Sequence, residues 1–109
     1  MICVRFYRDS IGQYRGFAVK GHAGYGVYGS DIVCAAVSAL SINAANSIEY
    51  FSSDRAAVRT EEEAGILFLR LDTQKDETSQ LFLKSLELGL KSIQKQYGSK
   101  YLKILYKEV

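Results

Sequence analysis

Two pairs of alternating segments, each pair closed by a short turn and each followed by a helical run, constrain this chain more than any other feature. Ile2 to Arg8 sets Ile2, Val4 and Phe6 on one side and Cys3, Arg5 and Tyr7 on the other, the period of two that marks a strand. Asp9-Ser10-Ile11-Gly12-Gln13 is turn chemistry, and Tyr14 to Lys20 alternates again with Phe17 and Val19 on one face. Residues 2–20 thus predict a β-hairpin. A second hairpin is predicted at Ala57–Glu62 and Ile66–Leu71, around Glu63-Ala64-Gly65. Between the hairpins, Val33, Val37, Leu40, Ala44, Ile48 and Phe51 recur at helical spacing, opened by Ser30 or Asp31 as N-cap and ended by Ser52-Ser53-Asp54. After the second hairpin, Asp76, Thr78 or Ser79 opens a helix with an inner stripe of Phe82, Leu86, Leu90, Ile93 and Tyr97, and Gly98 stops it. Tyr101 to Lys107 alternates as a last strand. The order ββαββαβ predicts an α+β two-layer sandwich: a mostly antiparallel sheet of about five strands with two helices packed on it.

Composition agrees with one domain over residues 1–109. Hydrophobic residues make up 48% and charged residues 24%, which excludes a disordered tail or a coiled coil. No run of 18 apolar residues marks a membrane span, and the first residues alternate too early for a signal peptide. The expectation is a cytoplasmic protein with no membrane contact. A net charge of +2 imposes no direct nucleic-acid requirement, although it allows an RNA neighbour. Cys3 and Cys34 are read as free thiols, with Cys3 structural. With one histidine and no CxxC, neither a metal site nor a cofactor is expected.

Chemistry concentrates between residues 21 and 38. Cys34 falls in the first turn of a helix, where unpaired N–H groups and the macrodipole favour a thiolate. His22, at the end of a strand, is placed to serve as its general base and then protonate a leaving amine. The first-turn N–H groups would hold a tetrahedral oxyanion. Asp31 has two readings: it caps the helix, where its charge opposes thiolate formation, or it orients His22. Ser38 lies one turn below Cys34 on the same face and either bonds the helix backbone or supports the site. Gly24-Tyr25-Gly26-Val27-Tyr28-Gly29 has G-x-G-x-x-G spacing, but a dinucleotide fold needs parallel βαβ units and this chain begins with a hairpin. Gly24, Tyr25, Gly26, Tyr28 and Gly29 read instead as a substrate loop, closing as a lid over an extended peptide. Glu61-Glu62-Glu63 reads as a solvated hairpin tip, and Lys91, Lys95, Lys100, Lys103 and Lys107 as a wet basic face.

The segment Gly21-His22-Ala23, followed after a glycine-bearing spacer by Asp31-Ile32-Val33-Cys34-Ala35-Ala36-Val37-Ser38, resembles the signature of the ribosomal-processing cysteine protease family. The likeness extends over the whole chain. It implies a Cys–His peptidase of the bacterial cytoplasm, a homodimer without a cofactor. Its substrate would be the N-terminal peptide of a large-subunit ribosomal protein, the one numbered twenty-seven. By the same likeness Cys34 is the nucleophile, His22 the base, and Gly21, Asp31 and Ser38 support the site. The competing readings are a non-catalytic ribosome-associated binding module and a thiol redox protein, the latter lacking a resolving cysteine near Cys34 in sequence.

Overall fold

A computed structural model describes residues 1–24, 26, 31–73 and 76–109. The elements run β1 (Ile2–Arg8), β2 (Tyr14–Lys20), α1 (Ile32–Phe51), β3 (Ala56–Glu61), β4 (Ile66–Leu71), α2 (Thr78–Tyr97) and β5 (Leu102–Glu108). The order is the expected ββαββαβ. β3 starts and ends one residue earlier than the alternation suggests, and β5 one residue later.

One five-stranded sheet has the order β3-β4-β2-β1-β5. Three of its pairings are antiparallel; β1 and β5 run parallel, with Ile2 opposite Leu102 and Arg8 opposite Glu108. The parallel pair follows from chain direction, because α2 carries the chain back across the sheet before β5 begins. β1 is thus a central strand, and β3 and β5 are the edges.

Both helices cover the same face of the sheet. Val4, Phe6, Phe17, Leu69 and Leu102 point from the strands into a core closed by Val33, Val37 and Ile48 of α1 and by Leu83 and Leu90 of α2. Leu83 belongs to this core although the expected stripe omitted it, while Phe82 and Tyr97 lie half-buried at its margin. α1 has 20 residues and a mean hydropathy of 1.4 over its most apolar window, enough by length and composition alone to cross a membrane. Here Val33, Val37, Ser41, Ala44, Ala45 and Ile48 are buried in the domain, as befits the central helix of a packed core.

Two polar clusters fix the helices. Asp76 accepts from the Ser52 and Ser53 hydroxyls and the Ser53 amide at the end of α1, and from the Thr78 and Ser79 amides at the start of α2. One carboxylate thus joins the exit of one helix to the entry of the next. Glu87 of α2 accepts from the Tyr14 hydroxyl at 2.5 Å and from the Tyr106 hydroxyl, and Arg8 stacks over the Tyr106 ring 4.2 Å from its centroid. This second cluster ties α2 to both flanks of β1.

Candidate active site

The site forms where β2 ends and α1 begins. Gly21 follows β2 with φ +99°, and a Cβ there would meet the Met1 carbonyl oxygen at 2.6 Å, so only glycine fits. Its N–H donates to the Gly65 carbonyl at 3.1 Å. Gly65 closes the β3–β4 turn with φ +64°, and a Cβ on it would lie 2.6 Å from the Gly21 oxygen and 3.3 Å from His22 Cε1. The two glycines let two turns meet backbone to backbone, and His22 emerges from that junction. Its Nε2 lies 3.4 Å from the Glu63 carbonyl oxygen.

Cys34 is the third residue of α1 and half-buried. Its Sγ accepts the N–H of Ala23 at 3.1 Å, so the residue after His22 is bonded to the sulfur. Asp31 is buried and takes the capping role: its Oδ1 accepts from the Val33 amide at 3.0 Å and the Cys34 amide at 3.1 Å.

Two expectations change here. The thiol is not lowered by its place in the first turn. Burial pushes it above its ordinary value, the Ala23 N–H pulls the other way, and the Asp31 carboxylate adds to the rise. A carboxylate at the cap cancels the dipole that would have favoured the thiolate. Nor are the Val33, Cys34 and Ala35 amides open to an oxyanion, since the first two donate to Asp31 Oδ1 and the third to the Asp31 carbonyl at 3.0 Å.

His22 and Cys34 border a cleft of about 780 Å³ between α1 and the β3–β4 hairpin. Gly21, Gly24, Gly26, Asp31 and Ser38 also line it; Tyr25, Tyr28 and Gly29 lie outside the described residues. The far wall was not anticipated. Thr60, Glu61 and Glu62 line the cleft, so the run read as a solvated tip is part of the site's border. No local signal marks this, because it depends on β4 pairing with β2. Ser41 was also missed: 1% exposed, it lines the cleft with a hydroxyl that has no hydrogen-bond partner in the described structure. Among the described residues no group of His, Cys, Asp and Glu is arranged to hold a metal ion.

A half-buried thiol at a helix start, a histidine on the same peptide-sized cleft and an open α+β sheet are the outline of a small cysteine protease. The comparisons agree. The family model for cysteine protease Prp matches residues 1–103. The ribosomal processing cysteine protease Prp of Staphylococcus aureus is 33% identical over 99 residues, 90% of this chain and 92% of that protein. The Bacillus subtilis protein of the same name is 26% identical over 85 residues, 74% of this chain and 76% of that one. The crystal structure of the essential S. aureus ribosomal processing protease with a covalently linked product peptide matches at a TM-score of 0.91 and 29% identity, over 98% of this chain and 100% of that one. The same protease with a substrate peptide matches at 0.86 and 28% identity, with the same coverage. The chain belongs to the Prp family of cysteine proteases.

Proposed function

We propose that this protease removes the N-terminal extension of large-subunit ribosomal protein twenty-seven in the cytoplasm, with Cys34 as nucleophile and His22 as general base. The observation that carries the assignment is the bond from the Ala23 N–H to Cys34 Sγ at 3.1 Å, which holds the sulfur beside the backbone of the histidine at the mouth of the cleft. Because the thiol is raised, it needs a base to give up its proton, and His22 takes that proton as the sulfur attacks the scissile carbonyl carbon. Once the C–S bond forms, the sulfur is a poorer acceptor and the Ala23 N–H turns to the oxyanion beside it. His22 returns the proton to the departing amine as the C–N bond breaks, and water hydrolyses the thioester. Gly21 and Asp31 position His22 and Cys34. Ser38, Gly24 and Gly26 border the path of the peptide.

The similarity to relatives named for ribosomal processing supports this substrate. A homodimer is the assembly that fits the family likeness, and it would give a like partner to cover the exposed Tyr50, Phe51, Leu81 and Leu88 of the two helices.

The deciding experiment incubates the protein with a peptide spanning that ribosomal N-terminus and reads the products by mass spectrometry. Cleavage by wild type and none by Cys34→Ala is the expected result. Cleavage by Cys34→Ala would end the assignment, and an intact ribosomal peptide beside cleavage of other peptides would end the substrate reading.

A further inference from the structure

The helices leave one face of the sheet uncovered, and the strand register shows what stands on it. Three cross-strand rows occupy that face. The first is Lys20–Cys3–Lys103. The second runs from Arg59 through Phe68 and Ala18 to Arg5 and Leu105, and the third from Ala57 through Arg70 and Gly16 to Tyr7 and Lys107. Each row carries two cations, and all six are exposed. Opposing charge is sparse: Glu61 stands at the far corner of β3, and Asp72, just past β4, holds Arg70 at 3.1 Å. The whole chain is only +2, from 14 basic and 12 acidic residues, so the concentration comes from placement and not from composition.

Two rings lie among these cations. Tyr7 and Phe68, both half-buried, approach with centroids 6.3 Å apart and planes at 68°. Only Gly16 and Ala18 of β2 lie between their strands, so the rings stand above a floor of small residues.

We propose that this face binds single-stranded nucleic acid, the cations taking the phosphates and the Tyr7 and Phe68 rings taking unpaired bases. Basic grooves with interleaved aromatic side chains bind single strands because every base offers a face for stacking. A second copy of this chain does not fit, because a two-fold pairing would set six cations against six. A duplex does not fit either, since its bases are already stacked and would leave the rings unused. The proposal stands independently of the peptidase reading, and it uses neither His22 nor Cys34.

The test is fluorescence anisotropy with labelled 12-nucleotide single strands of RNA and of DNA, beside the corresponding duplex. Both single strands should bind more tightly than the duplex, RNA binding over DNA identifying contacts to the 2′-hydroxyl. The logarithm of affinity should fall with that of salt at a slope of about −0.7 per phosphate contacted, about −3 to −4 in all. Arg5→Glu with Lys103→Glu should weaken binding at least about tenfold. Lys84→Glu with Lys95→Glu, the same charge change on α2, should cost less than about threefold. Tyr7→Ala should weaken it by about fivefold to a hundredfold while sparing the salt slope. Lys20→Gln with Lys107→Gln is the second variant should the first fail to fold. Equal losses from the sheet and helix variants, tighter binding of the duplex or of phosphatidylglycerol vesicles, or no binding at about 50 mM salt would overturn the proposal.

Discussion

The amide of Ala23 donates to Cys34 Sγ at 3.1 Å, across eleven residues of sequence, and so binds the end of β2 to the start of α1 through the sulfur itself. Replacing Cys34 removes an anchor as well as a nucleophile. The proposed base can be tested without disturbing that bond. His22→Ala should keep the fold and lower kcat/KM about 10²–10⁴-fold, read from peptide cleavage beside a thermal melt. Retention of full activity would remove His22 from the mechanism.

Asp31 acts on Cys34 in two ways that substitution separates. Asp31→Asn keeps an oxygen for the Val33 and Cys34 amides but removes the charge, so the thiol should move downward and alkylate faster at neutral pH. Asp31→Ala removes both and should cost about 1 kcal/mol of stability. Iodoacetamide rate against pH, followed by mass spectrometry, checks the first effect, and urea denaturation the second.

The contact of two glycine turns behind His22 predicts a position effect. Gly65→Ala meets the Gly21 oxygen at 2.6 Å, so the turns must part and carry His22 with them. Activity should drop at least about tenfold, with a stability loss of about 1–3 kcal/mol. Gly12→Ala is the control: it has a similar positive φ of +85°, but its Cβ would meet nothing within 4 Å. It should cost stability and leave kcat/KM intact.

Asp76 contributes to stability in acid. The Ser53 amide and hydroxyl hold its carboxyl down from 3.8 to about 2, so the carboxylate is bonded in the folded state. A lowered folded value gives stability that is present above the unfolded value and lost as pH falls through the folded one. Wild type should therefore lose stability between about pH 4 and pH 2, and Asp76→Asn should lose less over that window. Paired urea titrations at these pH values decide it, and parallel curves would exclude the role.

Glu87 lies on the same helix whose start Asp76 caps, and ties it to the sheet. Burial, then the Glu87 carboxylate, pushes the Tyr14 hydroxyl up to about 12. Glu87→Leu leaves the Tyr14 and Tyr106 hydroxyls without their acceptor and should cost about 1–3 kcal/mol with cleavage per folded molecule unchanged. Denaturation curves beside active-site titration give both numbers.

The local parts of this architecture were legible in the sequence. Alternation fixed the strand faces, spacing fixed the helices, and the chemistry around His22 and Cys34 stood out because rare residue types met an N-cap and a glycine cluster. What stayed hidden depends on partners distant in sequence. Gly65 touches Gly21 because β4 pairs with β2. The Glu61–Glu62 wall follows from the same pairing, and the cationic face requires Arg5, Arg59 and Lys103 to be gathered from three strands. The thiol's direction was misjudged for a different reason. The dipole is visible in sequence, whereas the burial that outweighs it is set by packing.

The parallel ladder between β1 and β5 sets an order of events during synthesis. The first hairpin can form as soon as residue 20 is made, but β1 keeps an open edge until residues 102–108 arrive. Ile2 lines the cleft, and its amide donates to the Tyr101 carbonyl at 2.9 Å, so this part of the cleft lining is secured only once residue 101 and β5 are in place. Closing so long a loop comes late and slowly. A nascent chain thus carries its cysteine and histidine for most of its translation without a finished groove, and competence to cut arrives only with the last strand.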